Sequence, residues 1–121
     1  MTPQELLKDY PRTVVALVTP ITDGQIDEEN LRALIRFHLE AETGAVLLCG
    51  TTGESATMSH SEHKRVIDIG VDCVSAWKKE NPGCQTQLWA GTGSNATEEA
   101  LDLTRHAEKA GADVALVITP Y

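Results

Sequence analysis

Apolar and polar positions along the chain fall into alternating blocks. Four short apolar runs, at residues 14–18, 45–49, 87–90 and 114–118, are each four or five residues long, and three are unbroken rather than alternating. A strand written that way is buried on both faces, as in a parallel sheet. Three stretches of helical period lie between the runs. The first opens at Asp27, an N-cap type followed by Glu28 and Glu29, where carboxylates favour the helix dipole. Its Leu31, Leu34, Ile35, His38 and Leu39 share one face, and Gly44 is expected to stop it. The second opens with the capping-box pattern Ser59-His60-Ser61-Glu62, turns Val66, Ile67, Cys73, Val74 and Trp77 inward, and ends at Asn81-Pro82-Gly83. Gly70 is its weakest point. The third starts near Asn95 or Thr97, places Ala100, Leu103, Thr104, Ala107 and Ala110 together, and stops at Gly111.

The order is β-α-β-α-β-α-β, and it carries a faint echo. Val15-Ala16-Leu17-Val18-Thr19-Pro20 is similar to Leu116-Val117-Ile118-Thr119-Pro120, as Thr43-Gly44-Ala45 is to Ala110-Gly111-Ala112. Reuse of a βα unit fits either an open doubly wound sheet or a (βα)8 barrel. A full barrel takes ~250 residues, whereas this chain has 121, and its fourth apolar run ends close to Tyr121. The expectation is one unit, residues 1–121, that reads as half of something larger.

Composition narrows the function classes. Apolar residues make up 41%, enough for a core, and 18 Asp and Glu against ten Lys and Arg give a net charge of −8. That balance disfavours nucleic acid and anionic membrane as partners. No apolar run approaches the ~20 residues of a membrane span, and the N-terminal stretch lacks a signal-peptide pattern. Cys49, Cys73 and Cys84 are odd in number and widely spaced, so a reducing cytoplasm is the expected compartment.

Chemistry in parallel α/β proteins sits beyond the carboxyl ends of the strands. There the chain has Thr19-Pro20, the loop Gly50-Thr51-Thr52-Gly53-Glu54-Ser55, then Gly91-Thr92-Gly93-Ser94-Asn95 and Thr119-Pro120-Tyr121. In the second loop two glycines bracket two hydroxyls, an arrangement that suits a carboxylate or phosphate or serves only as a tight βα turn. Neither glycine pattern completes a dinucleotide fingerprint or a P-loop. His60 and His63 share a helical face but lack a third ligand, so a metal is not expected, and a solvated helix start is the plain alternative. Trp77 and Trp89 read as core, and Cys49 as buried packing.

Taken in order, the runs Val15-Ala16-Leu17-Val18-Thr19-Pro20, Gly50-Thr51-Thr52-Gly53-Glu54-Ser55-Ala56-Thr57, Ala90-Gly91-Thr92-Gly93-Ser94-Asn95 and Val117-Ile118-Thr119-Pro120-Tyr121 closely resemble the dihydrodipicolinate synthase (4-hydroxy-tetrahydrodipicolinate synthase) family from about Thr13 onward. The resemblance implies a (βα)8 TIM barrel, of which this chain holds about the N-terminal half. It also implies a lyase of lysine (diaminopimelate) biosynthesis that condenses pyruvate with aspartate semialdehyde through a Schiff base on a barrel lysine, without cofactor, in a homo-oligomer (dimer or tetramer). By the same resemblance Thr51 joins a proton relay with two tyrosines and Thr52 binds the pyruvate carboxylate. Ser55, Ala56, His60, His63, Asn95, Glu99 and Tyr121 match a dimer-interface pocket for lysine as inhibitor. Glu99 and Asn95 would share a helical face there if the third helix starts early enough.

The lysines complicate this reading. Lys8 falls in the N-terminal segment and Lys64, Lys78, Lys79 and Lys109 on helices, so none is expected at a strand's carboxyl end and none serves as the Schiff-base amine. The chain alone is therefore expected to be inactive and, with two open sheet edges, to self-associate. Two alternatives stand beside the leading one: an N-acetylneuraminate lyase or sugar-acid aldolase of the same superfamily, and a half-barrel that catalyses nothing. Thr51, His60 and His63 speak against the first.

Overall fold

The computed structural model describes residues 2–8 and 10–121, with Met1 and Asp9 outside the described set. A short helix α1 (Pro3–Lys8) precedes β1 (Val14–Ala16), a two-stranded hairpin β2 (Ile21–Thr22) and β3 (Gln25–Ile26), and α2 (Glu28–Glu40). Then come β4 (Ala45–Leu48), a 3-10 turn (Ser55–Thr57), α3 (His60–Glu80), β5 (Gln87–Gly91), α4 (Thr97–Ala110) and β6 (Val114–Leu116).

The main sheet has the order β1-β4-β5-β6, all parallel, with Val14 beside Ala45, Ala45 beside Gln87 and Trp89 beside Val114. Each strand neighbours the one before it in this sheet, and the order never reverses. A doubly wound sheet reverses its order at a switch point; this sheet has none.

Strand alternation explains why the apolar runs are unbroken. Val46, Leu48, Leu88 and Ala90 face the helices and join Leu31, Ile35, Leu39, Val66, Ile67, Val74 and Ala107 in the main core. Ala45, Leu47 and Trp89 face the other way and form a small cluster with Val114, with no helical residue in it. The Tyr10 ring meets Trp89 edge-on at 5.4 Å. Helices on one face and a second, apolar face turned away from them are the cross-section of a barrel wall.

The helix starts follow the sequence. The Asp27 carboxylate accepts from the Asn30 N–H, and Ser59 and Glu62 close the full capping box. Gly70 sits within α3 because a Cβ there would lie 2.2 Å from Leu48 Cδ1, so its absence lets α3 approach β4. That close packing offsets the helix propensity lost.

The helix stops differ from expectation at one end. α2 does not run to Gly44: it caps at Ala41, Glu42 takes the left-handed conformation (φ 56°), and the Thr43 N–H returns to His38 O. Gly44 has another reason to be glycine, because a Cβ would stand 2.6 Å from Thr13 O. α4 does end at Gly111, with φ 108°. β1 and β6 are also shorter than their apolar runs. As edge strands they pair on one side only, so the length of a single neighbour's ladder limits them, although the Leu17 N–H still reaches Leu47 O at 3.0 Å.

Outside the core, ion pairs link successive helices. Arg32 joins Asp72, and Arg65 joins Glu28, across α2 and α3, with Arg32 also paired to Glu28 within α2; Lys64 joins Asp102, and His106 joins Asp68, across α3 and α4. Lys64 and then His60 hold the Asp102 carboxyl down at about 2. Such exposed pairs fix register more than they stabilise.

Candidate active site at the carboxyl ends of the strands

At the carboxyl end of β4 the backbone turns sharply. Cys49 adopts φ 58° and Glu54 φ 62°, and between them the loop closes on itself through Glu54 N–H to Thr51 O at 3.0 Å and Ser55 N–H to Gly50 O at 3.4 Å. The neighbouring strand end braces it, since the buried Thr19 hydroxyl donates to Gly53 O at 2.8 Å. Gly53 is packed so tightly that a Cβ would come within 3.1 Å of Leu17 O. Thr51 and Thr52 therefore project from a fixed turn. Both are exposed, and both line a cavity of about 230 Å³ with Cys49, Ser55, Gly93 and Ile118.

Among the described residues no backbone acceptor takes the N–H groups of Thr51, Thr52 or Gly53. Free amides and two hydroxyls at one cavity can hold a carboxylate, and a hydroxyl that both donates and accepts can pass a proton. Cys49 offers no nucleophile, because burial pushes its thiol up to about 12 and its Sγ lies 3.8 Å from His63 O. Thr19 is a supporting residue that the sequence pattern marks only as a strand end.

The other candidates fall into smaller groups. Ser55 and Ala56 share the 3-10 turn. His60 Nδ1 lies 3.5 Å from Glu99 Oε1, and its Nε2 meets Asp102. Asn95 Oδ1 accepts the Tyr121 N–H at 2.8 Å. Asn95 and Glu99 do not share a helical face, because α4 begins at Thr97 with Ala96 as its cap, which leaves Asn95 in the loop before it.

His63 turns inward. It is 4% exposed, and its Nε2 donates to Gly91 O at 2.6 Å, which fixes the proton on Nε2 in the neutral ring. Gly91 has no room for a side chain, since a Cβ would stand 2.2 Å from Cys49 O. His63 thus ties the first turns of α3 to the ends of β4 and β5.

Burial holds the His63 imidazole below its usual 6.5, and the bond to Gly91 O offsets only part of that effect. The folded chain resists the proton that the unfolded chain accepts, so His63's contribution is complete above 6.5 and declines as pH falls through that value toward the depressed one. Relative to His63→Gln, which cannot titrate, the parent should lose stability from about pH 7 to about pH 5 in urea unfolding. A difference that stays constant over that range would contradict this.

The five lysines all lie on helices: Lys8 on α1, Lys64, Lys78 and Lys79 on α3, and Lys109 on α4. A wider groove of about 1310 Å³ opens at the opposite end of the sheet, where Lys8, Arg12 and Lys78 mix with Glu40, Glu42 and Asp113. It lies away from the carboxyl ends of the strands, where Thr51 and Thr52 line the smaller cavity. No group of three or more candidate metal ligands occurs among the described residues. No described helix is long and apolar enough to cross a membrane.

The sequence pattern of the Dihydrodipicolinate synthetase family matches residues 9–121. The chain belongs to this family. A 4-hydroxy-tetrahydrodipicolinate synthase from Syntrophus aciditrophicus (strain SB) is 54% identical over 112 residues, which are 93% of this chain and 36% of that protein. The chain thus spans about a third of the length of the curated relatives it matches. Dihydrodipicolinate synthase from Aquifex aeolicus superposes with a TM-score of 0.83 at 45% identity, again over 93% of this chain and 36% of that one. At the same coverage, the chloride-inhibited synthase from Acinetobacter baumannii complexed with pyruvate gives 0.81 at 38% identity, and the synthase from Cyanidioschyzon merolae with lysine bound gives 0.82 at 34%. An N-acetylneuraminate lyase from Mycoplasma synoviae shares the fold at 0.81 but is 26% identical, over 95% of this chain and 38% of that one. In the dihydrodipicolinate synthetase family the sheet described above is the N-terminal part of a TIM barrel.

Proposed function

We propose that this chain forms the first half of a 4-hydroxy-tetrahydrodipicolinate synthase barrel, condensing pyruvate with aspartate semialdehyde for lysine biosynthesis. The observation that supports this most directly is the braced Gly50–Ser55 loop, which sets Thr51 and Thr52 on one small cavity at the strand ends. The pyruvate complex of a 38% identical relative agrees with it. Thr52 and the loop amides hold the pyruvate carboxylate, and the Thr51 hydroxyl passes protons between the reacting centre and tyrosines. The Schiff-base amine comes from a lysine on another strand, since all five lysines of this chain lie on helices. Ser55, Ala56, His60, Asn95, Glu99 and Tyr121 form the rim of a lysine-inhibitor pocket in a homo-oligomer, with the buried His63 backing it from the interior, a reading supported by the lysine-bound relative.

The test joins residues 1–121 to the C-terminal remainder of the Syntrophus aciditrophicus relative. The joined protein should consume pyruvate and aspartate semialdehyde, and borohydride with pyruvate should trap an adduct on a lysine outside residues 1–121. Residues 1–121 alone should give no turnover and no adduct. A joined protein that cleaves N-acetylneuraminate and ignores aspartate semialdehyde, or an adduct on any of Lys8, Lys64, Lys78, Lys79 or Lys109, would overturn the assignment.

A further inference from the structure

Beyond β6 the chain runs on as exposed, non-strand backbone, yet two contacts fix its path. The first is at Gly93, where a Cβ would stand 2.4 Å from Ile118 Cγ1 and 2.5 Å from Ile118 N. Gly93 does not adopt a left-handed φ. Its missing side chain therefore serves close approach and not conformation. The second is at Asn95, whose Oδ1 accepts the Tyr121 N–H at 2.8 Å. Between them, the Thr92 N–H donates to Leu116 O at 3.1 Å and extends the β5–β6 pairing.

Asn95 is an efficient helix-capping type, but the cap position falls on Ala96, which makes no side-chain bond to α4. The Asn95 side-chain oxygen is used instead on the segment that follows β6. That segment matters to the site because Ile118 walls the cavity lined by Thr51 and Thr52.

We infer that Gly93 and Asn95 form a two-point seat that holds residues 118–121 against the mouth of the Thr51–Thr52 cavity, with Asn95 a positioning residue for the reaction. The kinetic consequence rests on the function proposed above, whereas the seat stands on geometry alone. Nothing in it requires Asn95 to touch substrate. Its work is to fix where Ile118 and the Tyr121 backbone lie when the cavity is filled.

Amide hydrogen exchange on the 121-residue chain reads the seat directly. Asn95→Ala removes the acceptor and should speed exchange at the Tyr121 amide by roughly ten-fold, with the Leu88 and Ala90 amides of β5 unchanged. Asn95→Asp keeps an acceptor oxygen and should retain the protection. Gly93→Ala tests the other point: it should shift the Ile118 resonances and expose the Tyr121 amide without touching Asn95. Unaltered Tyr121 exchange in both Asn95→Ala and Gly93→Ala would overturn the seat. In the joined enzyme, Asn95→Ala should lower kcat more than it changes the pyruvate KM, and Asn95→Asp should restore most of the rate. A faster Tyr121 exchange with unchanged kcat would overturn the positioning role. A joined enzyme that is inactive with Asn95 intact counts against the functional reading, and the exchange measurement still decides the seat.

Discussion

Thr51→Val in the joined enzyme is expected to lower kcat by roughly 100- to 10,000-fold, the range a positioned proton-transfer group supplies. Valine keeps the shape of threonine and removes only the hydroxyl, so the surrounding turn has no reason to move. The backbone bond from Glu54 N–H to Thr51 O and the brace from Thr19 to Gly53 are both independent of that hydroxyl. The pyruvate KM should therefore change little, and Thr51→Ser should recover most of the rate. Thr52→Val should show the opposite split, with a raised pyruvate KM and a smaller drop in kcat. A hydrogen bond to the carboxylate is made equally in the ground state and the transition state, so its removal acts on binding. Steady-state kinetics of the three variants separate the roles. Equal drops in kcat from both valine variants would mean that the two hydroxyls act as one unit.

The second large effect concerns inhibition. Glu99→Ala should weaken lysine inhibition of the joined enzyme by roughly 10- to 150-fold, the span expected for one charge-assisted hydrogen bond. An ammonium needs an acceptor, and Glu99 presents one beside His60, with Oε1 3.5 Å from Nδ1. The same change should leave the pyruvate KM almost intact, since Glu99 does not line the Thr51–Thr52 cavity. Dose–response curves for lysine on the parent and the variant decide it. Superimposable curves would place His60 and Glu99 among the ordinary ion pairs of the α3–α4 seam.

The backbone architecture could be read from pattern because burial on both faces and helical period each leave a strong signal. All four main-sheet strands fall on the apolar runs, and α2, α3 and α4 occupy the expected stretches, with α2 stopping short of Gly44. Two further elements escape the pattern although their signals are present. Asp23-Gly24, with φ 53° and 74°, is the primed turn of the β2–β3 hairpin. Thr2 and Glu5 cap α1 reciprocally, at 3.2 and 2.8 Å.

The site was legible in part. Hydroxyls bracketed by glycines at a strand end mark a sharp exposed turn, and the structure places Thr51 and Thr52 on one such turn beside a cavity. The direction of a histidine could not, because the acceptor for His63, Gly91 O, lies 28 residues away in the chain. The Asn95 contact was hidden for a related reason: the partner of its side chain is 26 residues on.

The strand order has a consequence for how the chain is made. Every strand of the main sheet is laid beside the one before it, so no late segment has to insert between two earlier ones. Ala45, Gln87 and Val114 each open a strand whose only prerequisite is the edge already standing. Synthesis proceeds from the N-terminus at about 5–20 residues per second, slower than the ~0.1–1 μs of helix formation by orders of magnitude. The wall can thus grow unit by unit as it leaves the ribosome, each βα addition covering the edge that would otherwise attract a stranger.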